Sequence, residues 1–146
     1  MFKNILVPTD GSELSQRAVR TAVALAKLHE ARVTGIHVVP DYHLLIAYEG
    51  AFDPVTEERI EEEARTRAEQ YLAFVSCAAA SEGVPCDTVC ETSDHPYDAI
   101  LKTADALRCD LIVMTSHGRK GLAAVLLGSE TRKVLTHASI PVLIVR

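Results

Sequence analysis

The sequence predicts an α/β fold built on one doubly wound, five-stranded parallel sheet with helices on both faces. Two observations lead to this class. Short apolar, β-branched segments alternate along the chain with longer segments of helical periodicity. The segment Leu111-Ile112-Val113-Met114 is apolar without a break, which is typical of a strand covered by helices on both faces. No repeat, linker or low-complexity tract divides the 146 residues, so a single domain over residues 1–146 is expected.

The first strand–helix–strand unit occupies the beginning of the chain. Asn4 to Val7 is a short apolar strand, and Gly11 and Ser12 supply a turn and an N-cap for a helix from Glu13 to about Glu30. Apolar spacing predicts the buried stripe of this helix, and a second β-rich segment follows it. The stripe consists of Leu14, Ala18, Ala22, Leu25 and Ala26, and the second strand is Val33 to Val39.

The middle of the chain holds one segment without a clear period, Asp41 to Asp53. Two interpretations of it stay open: a flap over a site, or a short helix packed on its neighbours. From Pro54 to about Glu82 the apolar residues keep helical spacing, and Gly83 ends this second helix. Cys86 to Thr92 alternates as a half-exposed strand does, which predicts an edge of the sheet.

The second half of the chain repeats the alternation. Pro96 opens a third helix, the apolar strand from Leu111 follows, and Ser129 is predicted to cap a fourth helix that runs to about His137. Pro141 to Val145 is the last strand, with proline at its first position. If the polar third strand is an edge, right-handed crossovers give the strand order 3-2-1-4-5.

Composition and charge exclude several classes of function. The chain has 15 basic and 20 acidic side chains and a formal net charge of −5, so as a whole it should repel nucleic acid and anionic membranes. No apolar stretch approaches the ~20 residues of a membrane span, and the first strand is too short for a signal peptide. The four cysteines form no Cys-x-x-Cys pair and are interpreted as free, buried apolar side chains. We therefore expect a cytoplasmic protein.

Two polar loops follow strands that this order places side by side. Pro8 to Ser12 comes after the first strand, and Thr115 to Gly121 comes after the fourth. In open parallel sheets, ligands bind outside the carboxyl ends of the strands, at the point where the winding reverses. Both loops are therefore expected to line one crevice.

The second loop has the chemistry of an anion site. Gly118 and Gly121 allow close backbone approach, and Gly128-Ser129 leads into a helix whose first N–H groups have no partner within the helix. Arg119 and Lys120 add local positive charge. The pattern is neither a Walker A loop nor Gly-x-Gly-x-x-Gly. From these residues alone, phosphate binding and plain chain reversal are equally open.

Three segments together resemble the universal stress protein family. They are Ile5-Leu6-Val7-Pro8-Thr9-Asp10-Gly11-Ser12, His37-Val38, and the stretch from Ser116-His117-Gly118 through Gly128-Ser129 to Pro141-Val142-Leu143-Ile144-Val145. The ATP-binding branch of the family carries Gly-x-x-Gly, nine residues, then Gly-Ser/Thr. Gly118, the nine residues Arg119 to Leu127, and Gly128-Ser129 match the last two elements, whereas Thr115 stands in place of the first glycine. The resemblance covers the whole chain and implies a sheet of the adenine nucleotide alpha hydrolase-like type.

The resemblance implies ATP as the ligand, with Mg²⁺ or Mn²⁺ bridging phosphate oxygens rather than held by protein ligands. Asp10 would contact the adenosine, although the same carboxylate also suits a cap for the turn that follows it. His117 has two equal interpretations, as a phosphate contact or as a partner of the backbone. The other implied residues are Pro8, Thr9 and the backbone of Val38 around the base, Met114 and Thr115 beside the ribose, and Gly118, Arg119, Gly128, Ser129 and the N–H of Glu130 at the phosphates.

The motif residues contain no set of nucleophile, base and acid, so at most slow ATP hydrolysis is expected. The leading hypothesis is a nucleotide-dependent regulatory or stress-response module with an unidentified regulatory protein partner. One alternative is an adenylyl-transferring or ATP-hydrolysing enzyme with a second pocket under Asp41 to Asp53. Another is a dimeric interaction protein whose crevice Thr115 closes. The resemblance also suggests a homodimer through Pro141 to Val145, an apolar edge that a partner would cover, with a monomer as the alternative.

Overall fold

A computed structural model describes residues 1–41, 54–117 and 127–146 of the chain. Strands and helices alternate along these residues, as the sequence predicts. The strands are β1 (Asn4–Pro8), β2 (Arg32–Val39), β3 (Cys86–Thr92), β4 (Leu111–Thr115) and β5 (Val142–Val145). The helices within the described ranges are α1 (Glu13–His29), α2 (Pro54–Ser81), α3 (Pro96–Ala106) and α4 (Ser129–His137).

The five strands form one parallel sheet in the order β3-β2-β1-β4-β5, which confirms the predicted order. Ile5 of β1 lies opposite Val33 of β2 on one side and Leu111 of β4 on the other. The carboxyl ends of β1 and β4 are therefore neighbours. β3 is an edge strand with mostly exposed side chains, as its alternating sequence predicts.

Helices cover both faces of the sheet. Ile5 and Val7 pack with α1 and α2, whereas Leu6 between them packs with α3 and α4. Successive side chains of a strand point to opposite faces, so the unbroken apolar sequence of β1 and β4 serves two separate core layers. The face covered by α1 and α2 is closely packed, because a Cβ added to Gly35 of β2 would lie 2.9 Å from Val75 Cγ1 of α2.

The start of α1 agrees with the sequence, and its end follows from backbone geometry. Ser12 is the N-cap, since its Oγ accepts the Ser15 N–H at 3.1 Å. The helix ends at His29 because Glu30 takes a left-handed conformation with φ 51°. Of the predicted stripe, the three alanines are buried, whereas Leu14 and Leu25 are only half-buried; Val19 and Val23 complete the buried face.

The prediction that Ser129 caps the fourth helix is wrong. Gly128 is the N-cap, with ψ 154°, and Ser129 is the first helical residue. Within residues 1–41, 54–117 and 127–146, no side-chain cap hydrogen bond is formed at this end of α4. The last strand also begins one residue later than predicted, at Val142. The segment Asp41 to Asp53, for which two interpretations were open, lies outside the described residues except for Asp41.

The cysteines are only partly as predicted. All four are free, but Cys77 and Cys90 are exposed, whereas Cys86 is half-buried and Cys109 is buried. Burial, and secondly the charge of Asp110, raises the pKa of the Cys109 thiol to about 11. Among the residues that the structure describes, no helix is both long and apolar enough to cross a lipid bilayer.

Cys109 is expected to be inert to thiol reagents in the folded protein. The thiolate is the reactive form, and at pH 8 a thiol with a pKa near 11 is ionised in about one molecule per thousand. Ellman's reagent should therefore modify the exposed Cys77 first and Cys109 only after denaturation in guanidinium. Cys90 should react more slowly than Cys77, because partial burial and the charge of Glu91 raise the pKa of its thiol. Cys109→Ser identifies the slow thiol. Equal rates for all four thiols at pH 8 would contradict the expectation.

Candidate functional site

Hydrogen bonds hold the loop after β1 through both the N–H and the carbonyl of Thr9, which is buried. The Thr9 N–H donates to Ile36 O at 2.9 Å, and the Thr9 carbonyl accepts from His37 Nδ1 at 2.7 Å. Because a carbonyl can only accept, His37 carries its proton on Nδ1 in this contact. The Thr9 hydroxyl lies 3.1 Å from Ser15 Oγ and accepts the Gly11 N–H at 3.2 Å. Hydrogen bonds to its backbone and to its hydroxyl therefore hold the residue that follows β1 in place.

Asp10 organises the turn that leads into α1. Its Oδ1 accepts the Ser12 N–H at 3.0 Å and the Ser12 hydroxyl at 2.6 Å. The Ser12 hydroxyl accepts in turn from Ser15 N–H, so the carboxylate supports the N-cap of the helix. The structural role considered for Asp10 is thus confirmed, and contact with an adenosine stays a prediction.

Tyr71 of α2 lies directly against this turn. Gly11 has φ +76°, and a Cβ built on it would be 2.1 Å from Tyr71 Cε1. The Tyr71 ring also meets the His37 ring edge-on, with centroids 5.1 Å apart. The sequence predicts a turn at Gly11 but not the contact of this turn with Tyr71, because a tyrosine at helical spacing is equally typical of a core residue.

The end of β4 faces the loop after β1 from the neighbouring strand. Thr115 is buried, its hydroxyl donates to His117 O at 2.8 Å, and its carbonyl accepts from the Thr131 hydroxyl at 2.9 Å. Ser116 N–H continues the sheet by donating to Val145 O at 3.0 Å. The side chain of Thr115 is therefore tied to the loop that follows it and to the position of α4.

Gly128 closes the loop that begins after β4. Its N–H donates to Ser116 O at 2.7 Å, and an added Cβ would lie 3.2 Å from His117 Cα and 3.4 Å from Ser116 O. Since φ is −56°, the reason for glycine here is close approach and not a left-handed backbone. The contact brings the start of α4 against the end of β4.

The first N–H groups of α4 lie at this junction, and the described residues supply no side-chain cap for them. The first hydrogen bond along the helix runs from Arg132 N–H to Gly128 O at 3.0 Å, so the N–H groups of Ser129, Glu130 and Thr131 precede the helical ladder. These N–H groups and the helix dipole give this end a partial positive charge that suits an anion.

Within the described part of the chain, the ring of His117 pairs with a neighbouring side chain. Its Nδ1 lies 2.9 Å from Ser116 Oγ, within the range of a nucleophile and its base. Ser116 is only 4% exposed, which argues for a structural pair. The contact between Ser116 and His117 was not predicted from the sequence, although the two residues are adjacent in the chain.

Most of the predicted site residues lie together at the carboxyl ends of the central strands of the sheet. Val38 lies near the end of β2, two residues beyond Ile36, which pairs with the last residue of β1. The side chain of Met114 packs in the core with α3 and α4, so only its main chain could contact a ligand at the end of β4. Eight of the predicted residues lie at the end of β1, at the end of β4 or at the start of α4: Pro8, Thr9, Asp10, Thr115, His117, Gly128, Ser129 and Glu130. Gly118 and Arg119 lie outside the described residues.

A family model described as "Universal stress protein family" matches residues 1–146 of this chain. The chain belongs to the universal stress protein family. A universal stress protein of Thermus aquaticus is 37% identical, with both chains covered over their whole length. The solved structure of the Methanocaldococcus jannaschii protein MJ0577 superposes with a TM-score of 0.79 at 30% identity, over 99% of this chain and 96% of that one.

A further solved member of the family, from Archaeoglobus fulgidus, was determined in complex with dAMP. It is 22% identical to this chain and superposes with a TM-score of 0.72, over 99% of this chain and 98% of that one. At this identity the similarity bears on the fold alone. It agrees with the sheet order and the two-layer core described above.

Proposed function

We propose that this universal stress protein binds ATP in the crevice between the ends of β1 and β4 and acts as a nucleotide-dependent regulatory module. The observation that carries the proposal is the 2.7 Å hydrogen bond from Gly128 N–H to Ser116 O. It brings the uncapped start of α4 beside the end of β4, which is the neighbour of β1. An anion-binding helix terminus and a rigid polar turn therefore meet at the winding reversal of the sheet.

The adenosine half of the ligand would lie on the side of β1 and β2. Thr9 is pinned by four hydrogen-bond contacts, so Pro8 and Thr9 offer a fixed wall for the base. The main chain of Val38 would recognise the adenine edge, and Asp10 would contact the adenosine. The dAMP complex of the Archaeoglobus fulgidus relative shows that this fold accommodates an adenine nucleotide in that protein.

The position of Thr115 supports an open crevice over a closed one. Thr115 is only 8% exposed and its hydroxyl donates to His117 O, so the side chain that replaces the first motif glycine is engaged by the loop that follows it. This arrangement favours ATP binding over the alternative in which Thr115 blocks the site. The ribose would then contact the main chain of Met114 and Thr115.

The phosphates would bind at the start of α4, through Gly128, Ser129 and the N–H of Glu130, with Gly118, Arg119 and His117 contributing from the preceding loop. Helix N–H groups are suitable donors for phosphate oxygens. Among the described residues, no three potential metal-ligating side chains lie together. Mg²⁺ or Mn²⁺ would be held by the phosphate oxygens, where it would neutralise charge.

We further propose that bound ATP is hydrolysed slowly at most and that it controls contact with a regulatory protein partner. A homodimer through β5 is part of the same proposal, because β5 is a sheet edge with half-exposed apolar residues and Leu143 is 38% exposed. Sedimentation velocity distinguishes the dimer from a monomer.

The first test is to release bound nucleotide by denaturing the freshly purified protein and to identify it by mass spectrometry. Calorimetric titration of ATP with Mg²⁺ into the emptied protein follows. Adenine nucleotide in the supernatant, or saturable heat with a rise in Tm, is the expected result. If the protein releases no nucleotide and takes up none, the ATP site is wrong and the dimeric interaction protein becomes the better hypothesis.

A further inference from the structure

The carboxylate of Glu130 contacts a helix other than its own. Oε2 accepts the backbone N–H of Tyr97 at 2.9 Å, and Oε1 accepts from Lys133 Nζ at 2.8 Å. Tyr97 is the second residue of α3, one of the positions whose N–H has no partner within a helix. The N-cap of α3, His95, forms no side-chain cap hydrogen bond. Glu130 thus caps α3 from the first turn of α4.

This contact has the features of a strong hydrogen bond. A carboxylate at the start of a helix interacts with the positive end of the helix dipole, and a charged acceptor strengthens the hydrogen bond. The side chain of Glu130 is 34% exposed. Its second partner, Lys133, also lies over the Tyr97 ring at 5.2 Å from the centroid. The Lys133 ion pair is the more exposed of the two contacts and should contribute little.

The helix that receives the cap is firmly placed. Ala99 and Ile100, in the first turn and a half of α3, are 8% and 4% exposed, and Ile100 packs in the core cluster with Leu6 and Met114. A link from Glu130 to Tyr97 N–H therefore ties the first turn of α4 to a fixed point on the sheet.

We propose that Glu130 is a positioning residue that sets the affinity of the crevice for the phosphates of a nucleoside polyphosphate. Its carboxylate, by capping α3, holds the first turn of α4 in the orientation in which the N–H groups of Ser129, Glu130 and Thr131 meet phosphate oxygens. The inference rests on the proposed function, which assigns phosphate to this turn. The carboxylate of Glu130 orients the turn, and the nucleotide contacts only the backbone N–H of this residue.

The test compares Glu130→Ala, Glu130→Gln and Lys133→Ala by calorimetry with ATP and with adenosine. Glu130→Ala is expected to weaken ATP binding about tenfold, because the turn loses its anchor. Adenosine has no phosphate and is expected to bind the parent and Glu130→Ala alike. Glu130→Gln should regain most of the ATP affinity, since its amide oxygen still accepts from Tyr97 N–H. Lys133→Ala keeps that hydrogen bond and should match the parent.

Three results would overturn the inference: parental ATP affinity in Glu130→Ala, equal losses of ATP and adenosine, or the same loss in Lys133→Ala. If the parent binds neither ligand, the proposed function fails. The hydrogen bond from Tyr97 N–H to Glu130 is then tested by hydrogen exchange of the Tyr97 amide. Exchange should be faster in Glu130→Ala and unchanged in Glu130→Gln, and parental exchange in Glu130→Ala would overturn the inference. Should Glu130→Ala not fold, Glu130→Asp, which keeps the charge but shortens the reach, replaces it with the same expected sign.

Discussion

Gly128→Val is expected to lower the affinity for ATP about a hundredfold or more while the sheet stays folded. A single Cβ at this position already lies 3.2 Å from His117 Cα and 3.4 Å from Ser116 O, and the two methyl groups of valine do not fit between these backbone atoms. The Gly128–Ser116 hydrogen bond should break, and the start of α4 should move away from β4. A loss of about 2.7 kcal/mol of binding free energy corresponds to this hundredfold change.

Two further variants separate crowding from helix capping. Valine is a poor N-cap, whereas asparagine is a good one, so Gly128→Asn adds bulk without weakening the cap. Gly128→Val and Gly128→Asn should both lose ATP affinity if crowding is the cause. Gly128→Ala, which adds one methyl group, should lose less. Calorimetry with ATP and with adenosine is the measurement, and parental ATP affinity in Gly128→Val would remove Gly128 from the site.

Among the glycines that the structure describes, Gly11 is expected to be the most sensitive to replacement by alanine, at about 3 kcal/mol of unfolding free energy. An alanine at φ +76° is strained, and its Cβ would overlap the Tyr71 ring, whose nearest atom is 2.1 Å away. Tyr71 must therefore move, and its edge-on contact with His37 must change. Thermal unfolding should show a fall in Tm of about 10 °C.

Gly83 provides a matched control for the strain of placing alanine in a left-handed backbone conformation. It has φ +68°, but nothing lies within 4 Å of the Cβ position. Gly83→Ala should consequently cost only the strain of about 1 kcal/mol. In the double variant Gly11→Ala/Tyr71→Ala, the two effects should be less than additive, because the overlap is gone. Equal destabilisation by Gly11→Ala and Gly83→Ala would show that the Tyr71 contact is unimportant.

The sequence alone determined the order of the elements and the strand arrangement. Apolar period, prolines and helix-start residues are local signals, and they located α1 and β3 to within about a residue of their observed bounds. The polar edge strand β3 then led to the order of the whole sheet. From that order it followed that the loops after β1 and β4 lie side by side, and the family resemblance named the residues on them.

Only the tertiary structure decided which groups hold those loops in place. Tyr71 against Gly11, Ser116 against Gly128, and Glu130 against Tyr97 join residues that are distant in the chain or separated by a loop. The predicted cap at Ser129 failed for the same reason: the junction with Ser116 helps place Gly128, not Ser129, at the N-cap. Such contacts depend on how closely two backbones approach, and that distance is set by packing across the sheet, which leaves no periodic signal in the sequence.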